Sequence, residues 1–396
     1  MRAMTDAPNL PGPTRPALDP PASPSPWEAD PAARGAVGPG GSLVAVVGGG
    51  ISGLTSAYLL ARAGARVLLL ERGPRLGGKI LTQPLAGLPL EAGPDGFLDR
   101  PEAVALCREL GLESELVETL TTRAYRWEGN GLRLLEAEGG RPATGSPARL
   151  LSLRGGLQRL VERLEEDMRG LAPRARVHPL TPVEGVEPAA GAGFRLRLGT
   201  GQVVRADAVV IGTPAHQAAE LVSACSPGAA DILMEVRYLD LAVINLIYPG
   251  RPWPLPGSGF LVAERDGRLI SGCTWLSSKW PHLDRPGCTA IRVTVGGSGR
   301  REWMRLDDAT LVAEAHRELV LALGPAPRPD LARVVRWRQA VPDPRSLDPG
   351  RPTRAQAALP PGLALAGGGY RGGGIASCIA AAGEAAALAR RHLRAG

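Results

Sequence analysis

The chain has 396 residues, 44% of them hydrophobic, which is enough to bury a sizeable core and, on length alone, to divide into two domains. No apolar run approaches the roughly 18 residues that a membrane-crossing helix requires. The net charge is +7, but only Lys79 and Lys279 are lysines; the arginines lie scattered among Glu and Asp, which argues against the clustered patch of a nucleic-acid binder.

Residues 1–41 are rich in Pro, Ala, Ser and Gly and show no hydrophobic periodicity, so a disordered tail is expected. The segment lacks the basic start and apolar core of a secretory signal. Leu43–Val47 is a continuous apolar run of the buried parallel-strand type. A helix is predicted over Ser52–Ala63, ended by Gly64, and a second strand over Arg66–Glu71. Pro101 suits a first helical position, with Gly111 ending that helix. Ser152–Met168 reads as a further helix, with Gly155 and Gly156 near its start, and Val203–Ile211 as a strand. From Arg237 to Val295 the pattern becomes β-rich, with Asp240–Tyr248, Gly259–Val262 and Thr289–Val295 as strands. Leu363–Ala366 returns to a buried strand, and Ile375–Leu393 is a closing helix. The five cysteines (Cys107, Cys225, Cys273, Cys288, Cys378) and five histidines show no ligand spacing, so no disulfide scaffold and no metal site are expected, and a reducing cytoplasm fits.

Nucleotide-type elements therefore stand at both ends of the chain with β-rich material between. The expected fold is α/β: a discontinuous Rossmann-like domain over 42–125, 151–215 and 346–396, and a smaller α+β domain over 216–345 on a mostly antiparallel sheet. Residues 126–150 link the first two pieces.

Gly48-Gly-Gly50-Ile51-Ser52-Gly53 is a G-x-G-x-x-G loop that directly follows a strand and opens a helix. Gly48 permits the tight turn, Gly50 a close backbone approach to a pyrophosphate, and Gly53 close helix–strand packing, while the amides of the helix N-terminus face the phosphate charge. Glu71 closes the second strand, where a carboxylate accepts hydrogen bonds from ribose hydroxyls and disfavours a 2′-phosphate. These residues point to a dinucleotide.

After Glu71 the chain reads Arg72-Gly-Pro-Arg-Leu-Gly77-Gly78-Lys79. This resembles the second signature of the flavoproteins that include amine oxidases, phytoene desaturases and protoporphyrinogen oxidases, and implies FAD. Glu91-Ala-Gly93-Pro94-Asp95-Gly-Phe97-Leu98 looks like the E-x-G-P-[DEN]-[SG]-F stretch of oxygen-dependent protoporphyrinogen oxidases and the related coproporphyrinogen oxidases. The stretch from Arg100, Leu151-Ser-Leu-Arg-Gly-Gly156-Leu-Gln, Ala206–Ala215 and Thr274-Trp-Leu-Ser-Ser-Lys279-Trp-Pro281 are similar to further segments of that family. So is Leu365-Ala-Gly-Gly-Gly-Tyr370-Arg-Gly-Gly-Gly374-Ile375-Ala-Ser-Cys378-Ile, and the likeness covers most of residues 43–395.

The resemblance implies that Gly93, Pro94 and Asp95 pass beside the flavin, that Val183 meets the adenine, and that the amides of Gly374 and Ile375 lie against the flavin pyrimidine edge. Phe97 and Leu98 become candidates for the substrate face and Arg100 for a propionate partner. The implied activity is oxidation of protoporphyrinogen IX or coproporphyrinogen III in haem biosynthesis: hydride passes to flavin N5 and molecular oxygen reoxidises the cofactor. That chemistry needs positioning and electrostatics rather than a dedicated nucleophile, so no catalytic acid or base is named. Rival readings are another amine-oxidase or desaturase-type flavoenzyme and a non-catalytic FAD-binding protein.

The chain departs from the family pattern in places. The helical segment usual between Arg123 and Leu150, which builds the substrate cavity and membrane-facing surface, is reduced to Arg133–Ala148. Pro342-Asp-Pro-Arg-Ser replaces P-Q-Y, and Gly368 or Gly369 stands for the usual Asn. A cytoplasmic protein with at most a weakened peripheral membrane contact is expected, and homodimerisation is left open.

Overall fold

The computed structural model of the protein describes residues 41–129, 131–135, 149–297, 301–371 and 373–395. The expected tail, up to residue 40, and residues 136–148 of the link lie outside these.

Five parallel strands form the central sheet, in the order Ala175–His178, Arg66–Leu70, Leu43–Val47, Ala208–Ile211 and Leu363–Leu365. The run Leu43–Val47 is apolar throughout because both faces are covered: Val44 and Val46 enter one hydrophobic cluster, Ala45 and Val47 the other. The helix Ile51–Arg62 packs with Gln158–Gly170 and the closing helix Ile375–Ala395 on the first face. The helices Ala215–Val222 and Pro227–Met234 join the cluster on the second, as does a three-stranded antiparallel sheet of Val183–Pro188, Phe194–Leu198 and Val203–Ala206. The sheet is thus assembled from widely separated stretches of chain, as a discontinuous Rossmann-like domain requires.

A second sheet of seven strands runs Leu331–Pro342, Tyr238–Pro249, Cys288–Gly296, Ile270–Trp275, Gly259–Val262, Ala124–Glu128 and Gly131–Leu134. Neighbours are antiparallel except Gly259–Val262 against Ala124–Glu128. The helix Asp308–Leu323 packs on it over a core containing Trp127, Trp253, Trp275 and Trp303. Ala124–Glu128 and Gly131–Leu134, read from sequence as the end of one piece and the start of a link, pair antiparallel on the edge of this sheet.

Two expected elements divide differently. Ser152–Met168 is not one helix: Leu150–Leu153 is a strand between Phe97–Leu98 and Leu116–Glu118, and the helix begins at Gln158. Gly156 at φ 90° makes the break, a conformation that costs a residue with a side chain and not glycine. The run Val203–Ile211 splits at Asp207, Val203–Ala206 going to the three-stranded sheet and Ala208–Ile211 to the parallel one; the Asp207 carboxylate accepts from the Leu43 amide at 2.7 Å where the parallel sheet begins. No helix among the described residues is long and apolar enough to cross a membrane.

Candidate active site

A cavity of about 740 Å³ runs from the glycine loop, over the C-terminal ends of the parallel strands, to the second sheet. Of the residues singled out from sequence, Gly48, Gly50, Ile51, Ser52, Glu71, Arg72, Gly77, Gly78, Lys79, Gly93, Pro94, Val183, Gly374 and Ile375 all line it. Ends of the chain more than 300 residues apart meet at one surface.

Local geometry shows why glycines stand here. Gly48 has φ 99° and follows Val47 directly, turning the chain into the helix. A Cβ on Gly53 would sit 1.8 Å from the Gly48 carbonyl oxygen, so helix and loop are in backbone contact. Gly50 differs, since a Cβ there would meet nothing within 4 Å. Its bareness serves the cavity, not the fold. The helix begins with no side-chain cap and no acid in its first turn, so its positive end is left for a ligand's negative charge. At the other end of the chain Gly373 and Gly374 are likewise open where Ile375–Ala395 begins.

Glu71 is held by its own loop: its carboxylate accepts from the Gly49 amide and the Gly73 amide, each at 2.6 Å. Gly77 bonds back to Gly49 (N–H to O, 2.8 Å), clipping the second glycine signature to the first. Lys79 forms no ion pair among the described residues and lies 5.7 Å from the Tyr238 ring; burial lowers its pKa.

The turn that follows Glu91 is gripped by the second sheet. Three successive carbonyls each receive a side-chain donor from one of three adjacent strands. Asn245 Nδ2 donates to Glu91 O at 3.0 Å, Trp337 Nε1 to Ala92 O at 2.6 Å, and Arg292 Nη2 to Gly93 O at 2.5 Å. Below them Asp95 accepts from Lys279 Nζ at 2.7 Å and lies 3.5 Å from Arg292 Nη1. Burial pushes the Asp95 pKa up, but Lys279 and Arg292 outweigh it and hold the carboxyl below its usual range. Glu91 itself accepts from the Leu157 amide at 2.6 Å and from Thr82 Oγ1 at 2.9 Å, and burial raises its pKa to about 7.

Some expected residues stand apart from the cavity. Gly53 lies behind the loop, and Asp95 is turned into the clasp just described. Phe97 is 2% exposed in the core, whereas its neighbour Leu98 is 39% exposed, as alternation along a strand dictates. Arg100 is an exposed residue capping the helix Pro101–Glu109. None of these last three lines the cavity.

Sequence reasoning passed over Tyr238, Leu241, Val243, Arg292 and Trp337, which form the cavity wall on the second sheet. Lys279 stood in a segment already noted, whereas Trp337 did not; Arg292 sits in an ordinary alternating strand and carries no local signal. A bulge opposite Asp240, with Gln339 at φ 47° and its amide bonded to the Asp240 carboxylate at 2.7 Å, shifts the strand register just where Trp337 and Ala340 face the cavity.

A cavity lined by a glycine-rich helix N-terminus, a loop carboxylate and a second helix start fits FAD, and the comparisons agree. The sequence profile of the flavin containing amine oxidoreductases matches residues 51–147 and 128–389, and the chain belongs to that family. It is an FAD-dependent oxidoreductase.

Among individual relatives, the coproporphyrinogen III oxidase of Mycobacterium tuberculosis strain H37Rv is 29% identical over 440 residues, spanning 86% of this chain and 95% of that protein. The coproporphyrinogen III oxidase of Bacillus subtilis strain 168 is 23% identical over 454 residues, spanning 85% and 95%. A crystal structure from Exiguobacterium sp. 255-15, provisionally named a protoporphyrinogen oxidase, superposes with a TM-score of 0.77 at 23% identity, covering 89% of this chain and 99% of that one.

Proposed function

We propose that the protein oxidises a porphyrinogen, coproporphyrinogen III or protoporphyrinogen IX, to the porphyrin with molecular oxygen as electron acceptor. The observation that carries this reading is the grip of Asn245, Trp337 and Arg292 on the Glu91–Gly93 carbonyls. It seats the porphyrinogen-oxidase-like turn between the dinucleotide loop and an apolar wall of Leu241, Val243 and Trp337. The relatives named as coproporphyrinogen III oxidases, matched over 95% of their length, support the same reading.

In this proposal Gly48, Gly50 and the amides of Ile51, Ser52 and Gly53 receive the pyrophosphate. Glu71 with Arg72 holds the adenosine ribose, and Val183 the adenine. Gly77, Gly78 and Lys79 follow the flavin-side phosphate, while Gly93, Pro94, Gly374 and Ile375 border the ring. Asp95 acts through Lys279 and Arg292. Bound flavin would supply the redox chemistry, accepting two electrons and a proton in each of three rounds, because a porphyrinogen loses six electrons and six hydrogens in becoming the porphyrin, and oxygen would take up each pair. The chain's own part is to hold the ring and the substrate carbon together and to keep water from the apolar wall.

The test is direct. Purified protein loaded with FAD is mixed with each porphyrinogen, first without oxygen and then in air, while the flavin absorbance and porphyrin fluorescence are followed. Anaerobic bleaching of the flavin, then stoichiometric porphyrin on admitting air, is the expected result. A flavin that neither porphyrinogen bleaches refutes the proposal.

A further inference from the structure

The group formed by Asp95, Lys279 and Arg292 is buried, with side chains 16%, 11% and 13% exposed, and it sets two cations against one carboxylate. One unit of positive charge is left over. A charge in such surroundings is poorly screened and poorly solvated, so it interacts strongly with any charge that later enters nearby. Arg292 is the member that lines the cavity, beside Gly93 and Pro94. Its guanidinium is fixed from two sides, by Gly93 O and by Asp95 Oδ1, so it cannot swing away to solvent. Burial raises the pKa of Glu91, another acid that interacts with it, to about 7, so at pH 6 its carboxyl is mostly neutral.

We propose that Arg292, poised by Asp95 and Lys279, is the residue that answers the negative charge brought into the cavity when the cofactor is reduced. Two electrons arriving with one proton add one unit of negative charge, and the surplus positive charge of the cluster favours that state over the oxidised one. Asp95 and Lys279 are positioning residues: they set where the guanidinium lies and how much of its charge is left uncompensated. The inference rests on the flavin alone and needs no porphyrinogen.

The experiment measures the reduction potential of FAD bound to the whole protein at pH 6, by anaerobic dithionite titration against a reference dye, dithionite supplying the electrons. Arg292→Met leaves the cluster neutral and is expected to shift the balance towards oxidised flavin by on the order of tenfold, about 30 mV for two electrons. Lys279→Met moves it the same way by less. Arg292→Lys keeps the charge and stays close to the parent. Asp95→Asn removes the negative charge and moves the potential in the opposite direction, upwards. All these changes cut the same clasp, so simple loosening of the turn would drive them in one direction. Opposite signs for Arg292→Met and Asp95→Asn support the proposal; equal signs, or no shift in Arg292→Met, refute it. Should Arg292→Met fail to hold FAD, Lys279→Met against Asp95→Asn makes the same comparison. Because no substrate is used, this result stands apart from the porphyrinogen assay.

Discussion

Asp95 and Lys279, 184 residues apart in the chain, meet at 2.7 Å and tie the turn beside the dinucleotide loop to the second sheet. Both are largely buried, so each is costly without the other. The arrangement also explains why the T-W-x-S-S-K-W-P segment sits where it does. Its short helix Leu276–Lys279 presents the lysine, and Trp280, fully buried, places its Nε1 3.4 Å from the same carboxylate.

The first prediction follows from that pair. Lys279→Met leaves Asp95 with Arg292 alone, and the expected loss of stability is about 3 kcal/mol. The double variant Asp95→Asn/Lys279→Met should lose less than the sum of the two single changes. Chemical denaturation of all four proteins measures the coupling, and strict additivity would show the contact to be energetically idle.

Glu91 makes a pH prediction of definite sign. Its folded pKa of about 7 lies above the ordinary carboxyl value of 4.5, because burial penalises the charge. Its contribution to stability is therefore fully present below about pH 4.5 and is lost as pH rises to about 7, a change on the order of 3 kcal/mol. In the variant Glu91→Gln the side-chain amide oxygen would still accept from the Leu157 amide, and the group cannot ionise. Thermal melts from pH 4.5 to 8 should show the variant gaining on the parent as pH rises, with no gain below pH 4.5.

Asp95 runs the other way. Its pKa is held low in the fold, so its contribution is present above the unfolded carboxyl range and lost as pH falls through the folded value. Asp95→Asn should flatten the acid limb of the melting profile, below the window in which Glu91 acts. Melts of the two variants side by side separate the two carboxyls.

The glycine loop offers a test that divides fold from ligand. Gly53→Ala puts a Cβ 1.8 Å from the Gly48 carbonyl and should destabilise the protein even without cofactor, by about 2 kcal/mol or more. Gly50→Ala meets nothing in the protein, at a φ of −68° that alanine accepts. It should leave the melting temperature of FAD-free protein nearly unchanged while weakening FAD binding by at least about tenfold, since in the proposed binding mode Gly50 yields its space to the pyrophosphate. Flavin fluorescence titration and calorimetry of the cofactor-free forms read the two effects separately.

Whatever is written locally was legible in the chain alone. Gly48 to Gly53 between an apolar strand and a helix, Glu71 at the end of the next strand, and the glycine run before Ile375 each announce backbone geometry that only glycine or a chain turn supplies. The residues singled out there line the cavity, except Gly53, which packs behind it. The wall opposite came from tertiary packing. Arg292 in its strand, Asn245 in the next and Trp337 beyond a bulge reach three consecutive carbonyls between 154 and 245 positions away. No spacing or periodicity encodes such a contact, because it depends on how two sheets are set against each other. The same limit hid the strand Leu150–Leu153, whose residues suit a helix by pattern and become a strand because Phe97–Leu98 and Leu116–Glu118 stand on either side to pair with it. Local chemistry points to the cofactor; long-range packing places the charge that lines the cavity.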